Sequence, residues 1–340
     1  MSMEVKTIGI LTSGGDSQGM NAAIRAIVRN ADRCGIKVKG IFDGYQGLID
    51  GNFIDLTIGD VSGIIQKGGT MLGTARCLEF KEHAGIVKAA ENCRKFGIDG
   101  LVVIGGDGSF RGAGDLSREG IPCVGLPGTI DNDIACTEYT IGFDTAMNVA
   151  MEAIDKIRDT ITSHHRCAIV EVMGARAGWI ALEVGIATGA SYIGLPENLL
   201  PGESPKERYE RIKKEIADRL KEGQEKGRKN FTVVIAEAVT SLNKVATVEE
   251  MAHEIMEMTG IDTRGTCLGH IQRGGSPTVR DRIAATRMGY HAVQILKEGI
   301  GNRVVGEKNG HVYDMDIQEG LAMKKQLPED LLDIWRKVGY

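Results

Sequence analysis

Seven short apolar runs, mostly rich in β-branched residues, punctuate this chain, at residues 7–11, 38–42, 101–104, 123–126, 168–172, 192–195 and 232–236. Most are continuous rather than alternating, which is the pattern of strands covered on both faces. Helical spacing lies between them. Residues 20–34 place Ala23, Ile24, Ile27, Val28 and Ala31 on one stripe, and residues 146–161 do the same with Val149, Ala150, Ala153, Ile154 and Ile157. This βαβ rhythm predicts an α/β fold with mainly parallel sheets. Such sheets bind ligands at the carboxyl ends of their strands. The glycines concentrate there: the chain has 46 of them, about twice the average usage.

The remaining composition narrows the function. The net charge of −5 gives no basic footprint for nucleic acid or an anionic membrane, so a polyanionic substrate needs local Arg and Lys clusters. The seven cysteines are scattered without a two-residue spacing, which suits free thiols in a reducing compartment. No signal-type apolar segment opens the chain and no run approaches a membrane span. The expectation is a soluble cytoplasmic enzyme. The charged stretch 203–230 repeats Tyr209, Ile212, Ile216 and Leu220 at helical spacing, and so reads as a surface helix with one buried stripe.

Four motifs carry chemistry. Residues 11–21 read Leu-Thr-Ser-Gly-Gly-Asp-Ser-Gln-Gly-Met-Asn, after a strand and into a helix. Gly14 and Gly15 let backbone N–H groups close on a phosphate at a helix N-terminus; a tight strand–helix turn is the alternative. Neither the dinucleotide fingerprint nor the P-loop spacing fits. Gly105-Gly106-Asp107-Gly108-Ser109 repeats the arrangement after the third run. Here Asp107 is a hard oxygen ligand suited to magnesium on nucleotide phosphates, and Ser109 can cap the next helix. Pro127-Gly128-Thr129-Ile130-Asp131-Asn132-Asp133 sets two carboxylates and a hydroxyl in one loop. Phosphoryl transfer asks for such a base and orienter, although a capped Asx turn has the same composition.

The fourth motif, Gly269-His270-Ile271-Gln272-Arg273-Gly274-Gly275-Ser276-Pro277, has Arg264 upstream and reads as an anion site through the planar Arg fork. Arg76 and Arg166 stand near further turn signals.

With these motifs in order, and Val170-Glu171-Val172-Met173-Gly174 between them, residues 5 to 310 resemble the bacterial ATP-dependent 6-phosphofructokinases. The resemblance implies two Rossmann-like α/β domains and a homotetramer with active sites shared between subunits. The ATP-binding domain is expected at 1–141 plus about 271–304, and the fructose 6-phosphate and effector domain at 142–270 plus about 305–340. It implies Asp131 as general base on the sugar 1-hydroxyl. Thr129 and the Gly15 backbone hold the transferring group, and Arg76 stabilises its charge. Asp107 carries Mg2+, with Asp133 in support. Tyr45, Arg76, Cys77, Gly106, Asp107, Gly108 and Ser109 line the ATP site. Ile130, Met173, Gly174 and Glu237 hold the sugar. His270 and Arg273 bind its 6-phosphate, with Arg166 and Arg264 reaching it from a neighbouring subunit.

The resemblance also bears on the donor. Pyrophosphate-using relatives typically place Asp where this chain has Gly108 and Lys where it has Gly128, so the two glycines leave room for a nucleotide and favour ATP. Two departures stand out. Family members read Arg directly after Met-Gly, whereas here Ala175 follows and Arg176 comes one place late. If a helix starts there, adjacent side chains diverge by about 100°, and the expectation is weakened but surviving turnover. At the implied effector site Ser191, Ile58 and Asn230 replace Glu, Arg and His, while Arg25, Arg29, Arg158 and Arg228 keep the charge; regulation by ADP or phosphoenolpyruvate is expected to be weak or altered. The competing readings are a pyrophosphate-dependent enzyme, a kinase of another sugar phosphate, and a nucleotide-sensing subunit that has lost catalysis.

Overall fold

The computed structural model describes residues 5–338. In chain order the elements are β1 (Thr7–Thr12), α1 (Met20–Arg33), β2 (Lys37–Ile41), α2 (Gly44–Asp50), β3 (Phe53–Leu56), α3 (His83–Lys95), β4 (Gly100–Gly105), α4 (Asp107–Arg118), β5 (Cys123–Pro127), α5 (Phe143–His164) and β6 (Cys167–Val172). There follow α6 (Trp179–Ala187), β7 (Tyr192–Gly194), α7 (Pro205–Glu225), β8 (Phe231–Ala236), α8 (Val248–Thr259), β9 (Thr263–Cys267), α9 (Val279–Lys297), β10 (Arg303–Lys308), β11 (His311–Asp316), α10 (Ile317–Ala322) and α11 (Glu329–Val338). All seven expected strands form. No helix among the described residues is long and apolar enough to cross a membrane.

The chain divides into two compact units. The first takes in Met1–Ile130, Ile134–Thr145 and Arg273–Lys325; the second takes in Asp131–Asp133, Ala146–Gln272 and Gln326–Tyr340. Residues 305–325 therefore fall in the first unit, whereas the sequence reading assigned them to the second domain. The reason is strand pairing. β10 runs parallel to β5 and β11 returns antiparallel to β10, so the chain's late strands complete the early sheet.

The first unit is built on a seven-stranded sheet of order β11-β10-β5-β4-β1-β2-β3. Both faces are covered. Ile8, Ile10, Val102 and Ile104 pack in one apolar layer with Ile24 and Ile27 of α1 and Met288 and Val293 of α9. Leu11, Leu101 and Val103 face the other layer, with Ala89 of α3 and Phe110 of α4. Two buried faces explain why the strands read as continuous apolar runs. The chain leaves β1 toward β2 on one side and β4 toward β5 on the other, so β1 and β4 flank a topological switch point.

The second unit carries a four-stranded parallel sheet of order β7-β8-β6-β9. α7 packs on it through Tyr209, Ile212, Ile216 and Leu220, the stripe read from the sequence. Ser204 and Glu207 form a capping box at its start, with Pro205 in its first turn. Trp335 of α11 meets Tyr192 edge-on at 6.0 Å.

Candidate active site

In the first unit the loops after β1 and β4 are bonded to each other. The Ser13 N–H donates to the Ile104 carbonyl (2.9 Å) and the Ser109 hydroxyl donates to the Ser13 carbonyl (3.1 Å). A Cβ at Gly105 would lie 2.4 Å from both Ser109 Oγ and Ser13 O, so only glycine allows this approach. Asp107 and Gly108 open α4, and Asp107 is half-buried there. Nothing lies within 4 Å of a Cβ built at Gly106 or Gly108, which leaves open space beside the helix N-terminus. That space, backbone N–H groups and one carboxylate are the parts that an anion and its counter-cation require, gathered in a single corner. Magnesium is commonly held by one or two carboxylates plus substrate phosphates rather than by an all-protein cage. Asp107 fits that mode, and the described residues hold no cluster of three or more possible metal ligands.

The two glycines of the donor argument separate in the structure. Gly108 faces open space, as expected. Gly128 does not: its Cβ would lie 2.8 Å from Ile104 Cγ2 and 3.2 Å from Met20 Cε. Core packing requires glycine at 128, so this position offers no room to a ligand.

The segment carrying Arg76 is laced to the first loop. Thr12 donates to the Gly73 carbonyl (2.7 Å) and meets the Thr70 hydroxyl at 3.0 Å, while Thr74 donates to the Gly14 carbonyl (2.8 Å). Arg76 itself is exposed and Cys77 half-buried. Tyr45 lies beneath these loops: it is 5% exposed, stacks on Phe80 at 4.0 Å, and donates its hydroxyl to the Ser109 carbonyl (2.5 Å). Its ring supports the α4 N-terminus from the core side. Arg273 lies over Gly15, whose Cβ would come within 3.0 Å of the guanidinium, and faces Asp16 at 3.9 Å. The Arg273 Nε is buried without a hydrogen-bond partner among the described residues, as suits a group reserved for an anion.

After β5 the chain runs through Gly128 and Thr129 to Ile130, which is buried; Asn132 is buried at φ 50°, a left-handed conformation that Asn tolerates. Thr129 and Asp131 are half-buried and Asp133 is exposed.

In the second unit the end of β6 meets the turn that follows β8 and the turn that follows β9. The Glu237 carboxylate accepts the N–H groups of Gly174 (3.1 Å) and Ala175 (2.8 Å), and the buried Gln272 accepts the Met173 N–H (2.8 Å). Gly174 has φ 146° and Ala175 φ 50°. Ala175 and Arg176 thus form a turn, and α6 starts only at Trp179. The helical geometry assumed for Arg176 is not the observed one; the turn leaves its side chain exposed. His270 is exposed in the 3-10 turn Gly269–Arg273.

Arg166 and Arg264 also converge, because β6 and β9 pair with Ala168 opposite Arg264. Asp262, which the sequence reading missed, stands between them, 2.5 Å from Arg166 Nε and 3.2 Å from an Arg264 terminal nitrogen. Only strand pairing reveals this carboxylate, since Arg166 lies far from it in sequence. Within the same unit Arg228 reaches Ser191 at 3.5 Å.

Residues 7–296 match the family described as Phosphofructokinase. The chain is 53% identical over 330 residues to an ATP-dependent 6-phosphofructokinase of Clostridium botulinum (strain Loch Maree / Type A3), covering 97% of this chain and 98% of that one. It is 50% identical over 335 residues to the enzyme of the same name from Bacillus cytotoxicus, covering 98% and 100%. Among solved structures, phosphofructokinase from Saccharomyces cerevisiae aligns at 36% identity with a TM-score of 0.82, covering 93% of this chain but 45% of that one. This chain therefore spans less than half of the yeast protein, and nearly all of the bacterial ones. A pyrophosphate-dependent phosphofructokinase from Marinobacter aquaeolei shares the fold at a TM-score of 0.78 and 22% identity, covering 96% and 86%. The match along most of its length, and the relatives half identical over nearly all of it, place this chain in the phosphofructokinase family.

Proposed function

We propose that this chain transfers the γ-phosphoryl group of ATP to the 1-hydroxyl of fructose 6-phosphate, giving fructose 1,6-bisphosphate and ADP. The observation that carries the proposal is the bonded pair of glycine loops after β1 and β4, with Asp107 beside open space at Gly106 and Gly108. It is the nucleotide corner that the ATP-dependent relatives' names call for.

The roles follow from chemistry. Asp131 takes the proton of the sugar 1-hydroxyl as its oxygen bonds to the γ-phosphorus and the bond from that phosphorus to the β–γ bridging oxygen breaks. The Gly15 backbone and Thr129 hold the transferring group, and Arg76 opposes its charge. Asp107, with Asp133 in support, would hold Mg2+, whose charge would offset that of the phosphates. Gly106, Gly108 and Ser109 give the nucleotide close backbone approach, Cys77 lines its site, and Tyr45 fixes Ser109 from beneath. Ile130, Met173, Gly174 and Glu237 orient the sugar. His270 and Arg273 take its 6-phosphate, and Arg166 and Arg264 serve the sugar of a neighbouring copy in a homotetramer. Asp262 holds those two arginines in place.

The test is a coupled assay on purified protein with fructose 6-phosphate and magnesium, offering ATP and pyrophosphate separately. Turnover with ATP alone is expected; turnover with pyrophosphate alone, or with neither, overturns the reading. Two variants sharpen it. Gly108→Asp puts a carboxylate into the open space beside α4, and the KM for ATP is expected to rise about tenfold or more from phosphate repulsion, with the thermal midpoint little changed at this exposed position. Ala175→Arg restores a guanidinium in the turn beyond Gly174, and kcat is expected to rise several-fold; unchanged kcat and KM would show that the missing arginine is immaterial.

A further inference from the structure

Glu171 is a buried carboxylate in the second unit's core, and its side-chain partners flank the proposed sugar-side residues. It stands one residue before the end of β6 and is 2% exposed. Its carboxylate accepts from the Thr240 hydroxyl, from the Ser241 hydroxyl (2.9 Å) and N–H (3.4 Å), and from the Cys267 thiol (3.1 Å). Its own carbonyl accepts the Leu268 N–H (3.0 Å). Strand pairing sets it opposite Ile235 of β8 and Cys267 of β9, so it joins the carboxyl ends of three strands.

Each partner stands close in sequence to a residue of the proposed sugar site. Thr240 and Ser241 follow Glu237 through one short turn, Cys267 precedes His270, and Glu171 itself precedes Met173 and Gly174. A buried carboxylate is costly unless fully hydrogen-bonded. Four donors converging on one oxygen pair fix all three strand ends with a rigidity that neutral side chains in the same places do not give.

We infer that Glu171 is a positioning residue for fructose 6-phosphate: it touches no substrate, but sets the mutual placement of Met173, Gly174, Glu237 and His270. This inference rests on the kinase reading above. It predicts an effect confined to the sugar, because the nucleotide loops belong to the other unit. A second consequence is local to the thiol. Burial and the neighbouring Glu171 charge push Cys267 up to about 12. Burial and Glu171 together keep this thiol, on a residue exposed to solvent, in its unreactive form.

The experiment compares Glu171→Gln with the unmodified enzyme, varying each substrate in turn. The KM for fructose 6-phosphate is expected to rise at least about tenfold, while kcat at saturating sugar and the KM for ATP stay within about twofold. Iodoacetamide labelling of Cys267, followed by peptide mass at pH 8, is expected to accelerate at least about threefold once the Glu171 charge is removed. An unchanged KM for the sugar overturns the role, as does a loss of kcat and ATP affinity in parallel with it. An unchanged labelling rate overturns the contact on which the role rests. No turnover by the unmodified enzyme overturns the kinase reading and the sugar role with it, a result distinct from a normal KM in an active variant. Should Glu171→Gln not fold, Thr240→Val removes one donor and keeps the charge; a smaller rise in the same KM supports the role, and no rise overturns it.

Discussion

Asp131→Asn is expected to lower turnover with ATP and fructose 6-phosphate by about two to four orders of magnitude, the usual span for losing a general base. The substitution keeps the side chain's shape and removes its capacity to accept a proton. The loop should survive, because its form is set by the buried Ile130 and by Asn132 at φ 50°, a conformation Asn tolerates. Both KM values should therefore stay within about threefold, so that the loss appears in kcat and kcat/KM alike, as for an interaction made only in the transition state. Steady-state rates beside a circular-dichroism comparison check this. Retention of near-normal kcat would remove Asp131 from the role of base. A loss expressed in the sugar KM alone would make it a binding residue.

Asp281→Ala is expected to destabilise the first unit by about 4 kcal/mol, measured by urea unfolding. Asp281 of α9 is 0% exposed. It accepts hydrogen bonds from the Tyr139 hydroxyl (2.5 Å), the Gly142 N–H (2.6 Å), and the Thr145 N–H (2.9 Å) and hydroxyl (2.5 Å). Truncation leaves these donors buried without an acceptor, and each such group costs about 1–3 kcal/mol before relaxation. Burial raises the Asp281 carboxyl above the usual range, although the same donors pull it back. Asp281→Asn keeps an acceptor and should lose clearly less. Equal losses in the two variants would show that side-chain volume, not hydrogen bonding, is what Asp281 supplies.

The parts of this protein legible in its sequence are those where one local signal suffices. Strands buried on both faces wrote themselves as unbroken apolar runs, and the stripe of α7 followed helical spacing. β10 and β11 were missed because they mix charge into the pattern, as in Arg-Val-Val-Gly-Glu-Lys and His-Val-Tyr-Asp-Met-Asp. β9, Thr-Arg-Gly-Thr-Cys, has almost no apolar content to read. The site followed the same rule. The glycine loops and the Asp131 loop were visible as motifs, but Asp262 meets Arg166, and Glu171 meets Thr240, Ser241 and Cys267, only through strand pairing. Gly128 illustrates the converse: a glycine within a motif can serve the core rather than the ligand, and only the direction of its missing Cβ tells which.

The late return of β10 and β11 has a consequence for how the chain is made. A ribosome delivers β1 to β5 first, yet the sheet they begin stays open at the β5 edge until residues beyond 303 emerge. An unpaired strand edge is a template for wrong partners. The nascent chain must carry that edge through the synthesis of nearly the whole second unit, most of which is one continuous stretch, 146–272, and can close on its own sheet meanwhile. Assembly order is thus inverted with respect to synthesis order: the residues made first are among the last to find their final neighbours, and a ribosome stalled in the α9 region strands an unfinished sheet rather than a finished domain.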